Sequence, residues 1–208
     1  LVQLASHFLV PLAAIVAFAS SLVLLLARAT NSSSGALDNA AGVGVLLELG
    51  RSISSNPCPC TEVSLVAPGA EELGLLGSTA FCRRHLLELT TQHKNVMVIN
   101  LDGTGAGKSV WISGGNCKDG LSEMLRSAAN AEGIQATGPF RALGLIADHM
   151  PFRAAGISAL TLSGLLRKLL SIHTRKDRKE LLEAETMDLV GRLVLRFLGD
   201  LERTPVNL

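Results

Sequence analysis

Residues 95–113 read NVMVINLDGTGAGKSVWIS, and the fold turns on how that run is taken. Gly107, Lys108 and Ser109 match the end of the phosphate-loop pattern G-x-x-x-x-G-K-[ST], whose backbone N–H groups cradle phosphates. The first glycine of that pattern falls at position 102, which is Asp. The motif also needs a helix whose N-terminus meets the phosphates. Here the β-rich VWIS follows Ser109, and then Gly114 and Gly115. Nucleotide binding is therefore not expected. In the other reading, 95–101 is a strand that delivers Asp102 at its carboxyl end. Its nearly continuous apolar character is that of a strand covered on both faces. SVWIS (109–113) is the next strand.

Working outward, TEVSLVAP (61–68) and GISALTLSG (156–164) read as further strands. Helical patterns occupy 77–92, 119–131 and 180–203. Another helix, AAGVGVLLELGRSI, follows the capping candidates Asp38 and Asn39, with an apolar face at Val43, Leu46, Leu47 and Gly50. Strands alternating with helices predict an α/β three-layer sandwich on a mostly parallel mixed sheet.

Residues 8–27, FLVPLAAIVAFASSLVLLLA, contain no charged residue. At about 1.5 Å per residue, twenty residues just cross a hydrocarbon core of about 30 Å. The expectation is one transmembrane helix within residues 1–30, then the polar stretch ATNSSSGALDNAAG (29–42) opening an α/β domain over 31–208. The chain starts with Leu, which suggests a piece of a longer protein, and a membrane localisation is expected. A net charge of +1 leaves no electrostatic footprint for nucleic acid. One Trp and no Tyr offer no base-stacking platform. Cys58, Cys60, Cys82 and Cys117 are too few for a disulfide scaffold and lack the spacing of a zinc site.

The acidic residues cluster at strand ends. Glu71 and Glu72 follow EVSLVAPGA, Asp102 follows NVMVIN, and Asp148 and His149 precede the last strand. In open α/β sheets the ligand site lies outside the carboxyl ends of the strands. Three acidic clusters and a His there, with only Lys108 near in sequence, call for a multivalent cation. Carboxylates with imidazole suit zinc, and also manganese or cobalt.

The runs SGALDNAAGVGVLLELGR, GAEELGLLGS, VINLDGTG and ADHMPFRAAGISALTLSG, in that order, resemble the di-zinc exopeptidases of the aminopeptidase Y and bacterial leucyl aminopeptidase family. Glutamate carboxypeptidase, glutaminyl cyclase and the transferrin receptor ectodomain are its relatives. The tail HTRKDRKELLEAETMDLVGRLVLRFL resembles that family's closing HT…D segment and last helix. The resemblance covers about residues 34–200. It implies a zinc-exopeptidase-like fold and peptide hydrolysis. Asp38 would bridge two zincs, Glu72 and His149 would complete one site, and Asp102 would serve the other. Glu71 would be the general base, with Asn39 and Asp148 in supporting or substrate-contacting positions. It also makes Asp38–Asn39 a candidate cis peptide, and the family habit of secretion points the domain outward.

The family's H-x-D motif, which pairs with the residue matched by Asp102, is absent from this chain, as is the Tyr that assists some members. His7 lies at the apolar segment, and His85, His93 and His173 follow Asp38, so they read as structural or surface residues. Three arrangements accommodate this. The motif lies upstream, in which case residues 1–208 lack early strands and are expected to be inactive alone. Alternatively, the site holds one zinc through Asp38, Glu72 and His149, as in glutaminyl cyclase. Or the domain is a membrane-anchored non-enzyme kept for binding. Retention of Glu71, Glu72, Asp38 and His149 together favours an enzyme, an aminopeptidase-type metallopeptidase.

Overall fold

The structure is a computed structural model and describes residues 2–26, 32–115, 120–140 and 146–203. Cys117 lies outside the described residues. The chain divides into two units, Leu1–Ser32 and Ser33–Leu208.

The first unit contains helix α1 (Val2–Leu26). Among the described residues, however, no helix is long and apolar enough to cross a membrane. The expected transmembrane span is therefore not supported.

The second unit is an α/β sandwich. Its elements in order are α2 (Ala41–Ser55), α3 (Leu76–Gln92), β1 (Met97–Leu101), β2 (Val110–Ser113), α4 (Gly120–Ala131), β3 (Ala136–Phe140), α5 (Met150–Ala154), β4 (Ser158–Ser163) and α6 (Ala184–Arg203). The strand order is β1-β4-β2-β3. β1 runs parallel to β4 with Met97 opposite Ser158 and Leu101 opposite Leu162. β2 is parallel to β3 and antiparallel to β4.

Alternation along β4 separates the layers, because successive strand residues point to opposite faces. Leu160 and Leu162 join Leu121 and Leu125 of α4, Val45 and Leu49 of α2, and Val190, Leu193 and Phe197 of α6 in the main core. Ala159 faces the other way, into a smaller core with Cys82 of α3 and Phe152 of α5. Helices cover both faces, as the alternating pattern predicts.

Four features depart from the sequence reading. Residues 61–68 are not a strand, since a β-rich run needs a partner edge and none among the described residues pairs with it. Among the described residues β1 is an edge strand, half-buried from Met97 to Asn100, not a strand covered on both faces. β3 was not foreseen; Gly138 and Pro139, joined by a cis peptide, hide it behind turn residues. Finally, α2 buries Ala41, Gly42, Val45 and Leu49, while Val43 is 44% and Leu47 70% exposed. This helix is apolar nearly all round, so periodicity could not choose its face. Close approach decides it: a Cβ on Gly42 would overlap the Asn39 side chain and stand 2.5 Å from the Leu101 carbonyl oxygen.

Candidate metal centre

Three loops bring two carboxylate clusters and an imidazole to the carboxyl end of β1. The first precedes α2. Its Asp38–Asn39 peptide is cis. Asn39 binds both sides of the next ligand candidate: its Nδ2 donates to Leu101 O at 2.7 Å, and its Oδ1 accepts from Gly103 N at 3.3 Å. Asp102 sits between those two residues. Asn39 Oδ1 also accepts from Gly42 N at 3.2 Å. One amide thus fixes the start of α2 to the end of β1, and with it Asp38 to Asp102.

The second loop is GAEELGLLG, residues 69–77. Gly77 N donates to Gly69 O at 3.1 Å and closes it. A side chain at Gly77 would overlap that same carbonyl, so only glycine permits the closure. Within the loop Glu71–Leu73 form one 3-10 turn. Ala70 and Leu75 flank it in the left-handed region, with φ of 58° and 60°. Such backbone costs on the order of 1–3 kcal/mol per non-glycine residue and persists where the surroundings impose it. The result is that adjacent Glu71 and Glu72 point to different places.

The third loop, 171–177, carries His173, itself left-handed with φ 58°. His173 Nε2 lies 2.9 Å from Asp38 Oδ2 and 2.7 Å from Glu72 Oε1. The ligand atoms of Asp38, Glu72 and His173 all fall within 4.8 Å of one another. A single imidazole N–H cannot serve two carboxylates equally well, whereas a cation at their shared focus can.

His149 is elsewhere. It is 4% exposed, its Nδ1 lies 2.7 Å from Thr161 Oγ1, and Gly114 packs against its ring. Asn100 Nδ2 donates to the same hydroxyl at 3.0 Å. With one proton and two lone pairs, the Thr161 hydroxyl completes this contact with either His149 tautomer. Burial, then the Arg153 charge, pulls the His149 pKa down to about 4. The structure thus joins His173, not His149, to Asp38 and Glu72. Asp148, the residue before it, does face the cleft, which has a volume of about 390 Å³. Its Oδ1 is buried without a partner.

The electrostatics of this cleft are those of an uncompensated anion cluster. Glu71 is pushed up to about 7 by burial and then by Asp102, Glu72, Asp148 and Asp38. Asp102 is also pushed up to about 7, by burial and then by Asp38, Asp148 and Glu72. Asp38 is raised by burial and by Glu72, with His173 opposing. Burial lowers the His173 pKa, but Glu72 and Asp38 outweigh it and the net shift is upward. Carboxylates that resist ionising together, an orphaned buried oxygen and one converging imidazole fit a divalent cation by donor chemistry.

The profile of Peptidase family M28 matches residues 20–198. The chain belongs to peptidase family M28. Aminopeptidase YwaD of Bacillus subtilis (strain 168) is 33% identical over 174 residues, which take in 78% of this chain and 36% of that relative. The crystal structure of BSAP, a zinc aminopeptidase from Bacillus subtilis, has a TM-score of 0.69 at 28% identity over 83% of this chain and 44% of that one. Glutaminyl cyclase of Porphyromonas gingivalis, at 24% identity and TM-score 0.62 over 81% of this chain and 64% of that one, shares the fold. The M28 chain spans less than half the length of the two aminopeptidase relatives.

Two residues of this cluster lie outside the sequence reading. His173 and Asp177 stand in the HTRKD run, whose likeness to the closing segment was visible. The resemblance assigns the ligand role to His149, and the position of His173 downstream of Asp38 reads as structural or surface. Only the loop's return to Asp38, 135 residues away in sequence, distinguishes them.

The raised carboxyls set a pH dependence for the metal-free protein. A carboxyl with a raised folded pKa holds its proton more tightly in the folded state. Its stabilising contribution is complete below the ordinary carboxylate range and is lost as pH climbs through about 7. His149 acts oppositely, since its depressed pKa favours the folded state above about 6.5 and that gain is lost toward about 4. The raised carboxyls outnumber it. The expected result is a melting temperature that falls from pH 4.5 to 7.5 in chelator-treated protein, and a fall abolished by saturating zinc. A thermal-melt series with and without zinc checks both.

Proposed function

We propose that this chain carries the metal-holding and proton-transferring residues of a zinc-dependent exopeptidase of aminopeptidase type, acting on a peptide substrate. The observation behind this reading is the convergence of Asp38, Glu72 and His173 from three separate loops, with Glu71 next to them but outside the trio. Asp38, Glu72 and His173 would hold one zinc, with Asp38 and Asp102 facing a second position. Zinc held there would supply Lewis acidity and bring bound water toward a pKa of about 7.

The chain's own residues do the rest. Glu71 receives a proton from the attacking water on a carboxylate oxygen and later passes it to the leaving amine nitrogen. Its raised pKa in the metal-free cleft shows how strongly burial favours proton uptake there, and a bound cation would moderate that. Ile99 and Leu101 of β1 and Val66 form an apolar wall beside the acidic floor, a surface for the substrate side chain. Asp148, with its free oxygen, is placed to accept a hydrogen bond from the substrate.

A one-zinc site of glutaminyl-cyclase type is the second reading. It is favoured by the completeness of the Asp38, Glu72 and His173 trio, while Asp102 joins no such ligand group among the described residues. Metal content per chain separates the readings: two zincs support the exopeptidase, one supports the cyclase-like site, and none leaves a binding domain without a metal centre.

A further inference from the structure

Asp177 is fully buried. Its Oδ1 accepts the backbone N–H of Leu37 at 2.6 Å, and its Oδ2 accepts that of Asp38 at 3.4 Å. Its own carbonyl accepts the Ser34 hydroxyl at 2.6 Å and the Ser34 N–H at 3.3 Å. On its own side the loop is closed. Asp177 N donates to Thr174 O at 3.1 Å, Thr174 Oγ1 donates to Ser171 O at 2.6 Å, and Lys176 N donates to Thr174 Oγ1 at 3.1 Å. Asp177 therefore ties the loop that carries His173 to the loop that carries Asp38.

A tie alone needs one neutral acceptor. Placing a carboxylate in the interior is costly unless its oxygens are well used, and charged acceptors make stronger, shorter bonds to N–H groups. Here both oxygens address two consecutive N–H groups, the second belonging to Asp38 itself. The left-handed His173 backbone is unfavourable alone and must be imposed by its surroundings. The closed turn ending at Asp177 imposes it.

We propose that Asp177 is a positioning residue for the metal centre: its carboxylate fixes the Asp38 backbone against the His173 loop and so sets the spacing of those two ligands. This rests on the reading of the trio as a metal site. Partners that orient ligands in this way are worth roughly 10–100-fold in metal affinity.

The test is zinc affinity by chelator competition, with cobalt(II) absorption as a geometric readout. Asp177→Asn keeps size and one acceptor but turns N–H donors toward the Asp38 N–H. It should fold, bind zinc about 10–100-fold more weakly and shift the cobalt spectrum. Ser34→Ala cuts the other tie between the same loops; it should lower the melting temperature and leave zinc affinity within about twofold. Unchanged affinity in folded Asp177→Asn overturns the proposal, as does equal weakening in Ser34→Ala. Should Asp177→Asn not fold, Asp177→Glu retains charge and acceptors one methylene further out. Weakened binding there supports the proposal, and unchanged binding or failure to fold overturns it. Wild-type protein that binds no zinc overturns the metal-site reading and this proposal together, whereas wild-type binding matched by the variant overturns the positioning role alone.

Discussion

Glu71→Gln should lower kcat by at least about 100-fold, the lower end of what a positioned general base contributes, with zinc content at the wild-type level. The substitution preserves size and one hydrogen-bonding oxygen and removes the ability to take a proton. Glu71 lies beside the trio without belonging to it, because the left-handed residues Ala70 and Leu75 turn the two glutamates apart. KM should change little, since ground-state contacts are retained. Steady-state kinetics on aminoacyl-nitroanilides with parallel metal analysis decides it. Wild-type turnover in the variant would remove Glu71 from the mechanism, and loss of zinc with turnover would make it a ligand.

The second large effect separates two histidines. His173→Ala should weaken zinc binding beyond the roughly 100-fold ceiling of outer contacts, because it deletes one of three converging donors. His149→Ala should instead lower stability by about 1–3 kcal/mol, the cost of leaving buried polar partners unmatched, while zinc affinity holds. Its ring is committed to Thr161, and through that hydroxyl to Asn100. Chelator competition and urea melts on both variants give a crossed pattern. The reverse pattern would return the metal to His149.

Those two histidines show what was legible in the sequence. The alternation of strands and helices, and the placing of Asp102 after β1, of Asp38 ahead of α2 and of Glu71 and Glu72 in the loop ahead of α3, follow from local patterns. Each of those residues sits directly after an apolar run or before a helix, where sequence position nearly fixes spatial position. His173 does not. Its place depends on a loop held by Asp177, Ser34 and Thr174, and no periodicity encodes that return. The exposed face of α2 is illegible in the sequence for a related reason. Val43, Leu46 and Leu47 are as apolar as Val45 and Leu49, and the small residues Ala41 and Gly42 decide which side can approach β1. The run at 61–68 shows that β-propensity alone makes no strand without a neighbouring edge.

The edge of β1 has a colloidal consequence. Unpaired N–H and C=O groups along a strand are a template for another chain, and proteins usually guard them with charge, proline, bulges or cover. From Met97 to Leu101 this edge carries no charged residue and no proline. Ile99, Asn100 and Leu101 also line the acidic cleft. A strand adhering there, from whatever source, would stand as a wall of that cleft. Among the described residues, Ile99, Asn100 and Leu101 belong at once to the sheet edge and to the wall of the cleft.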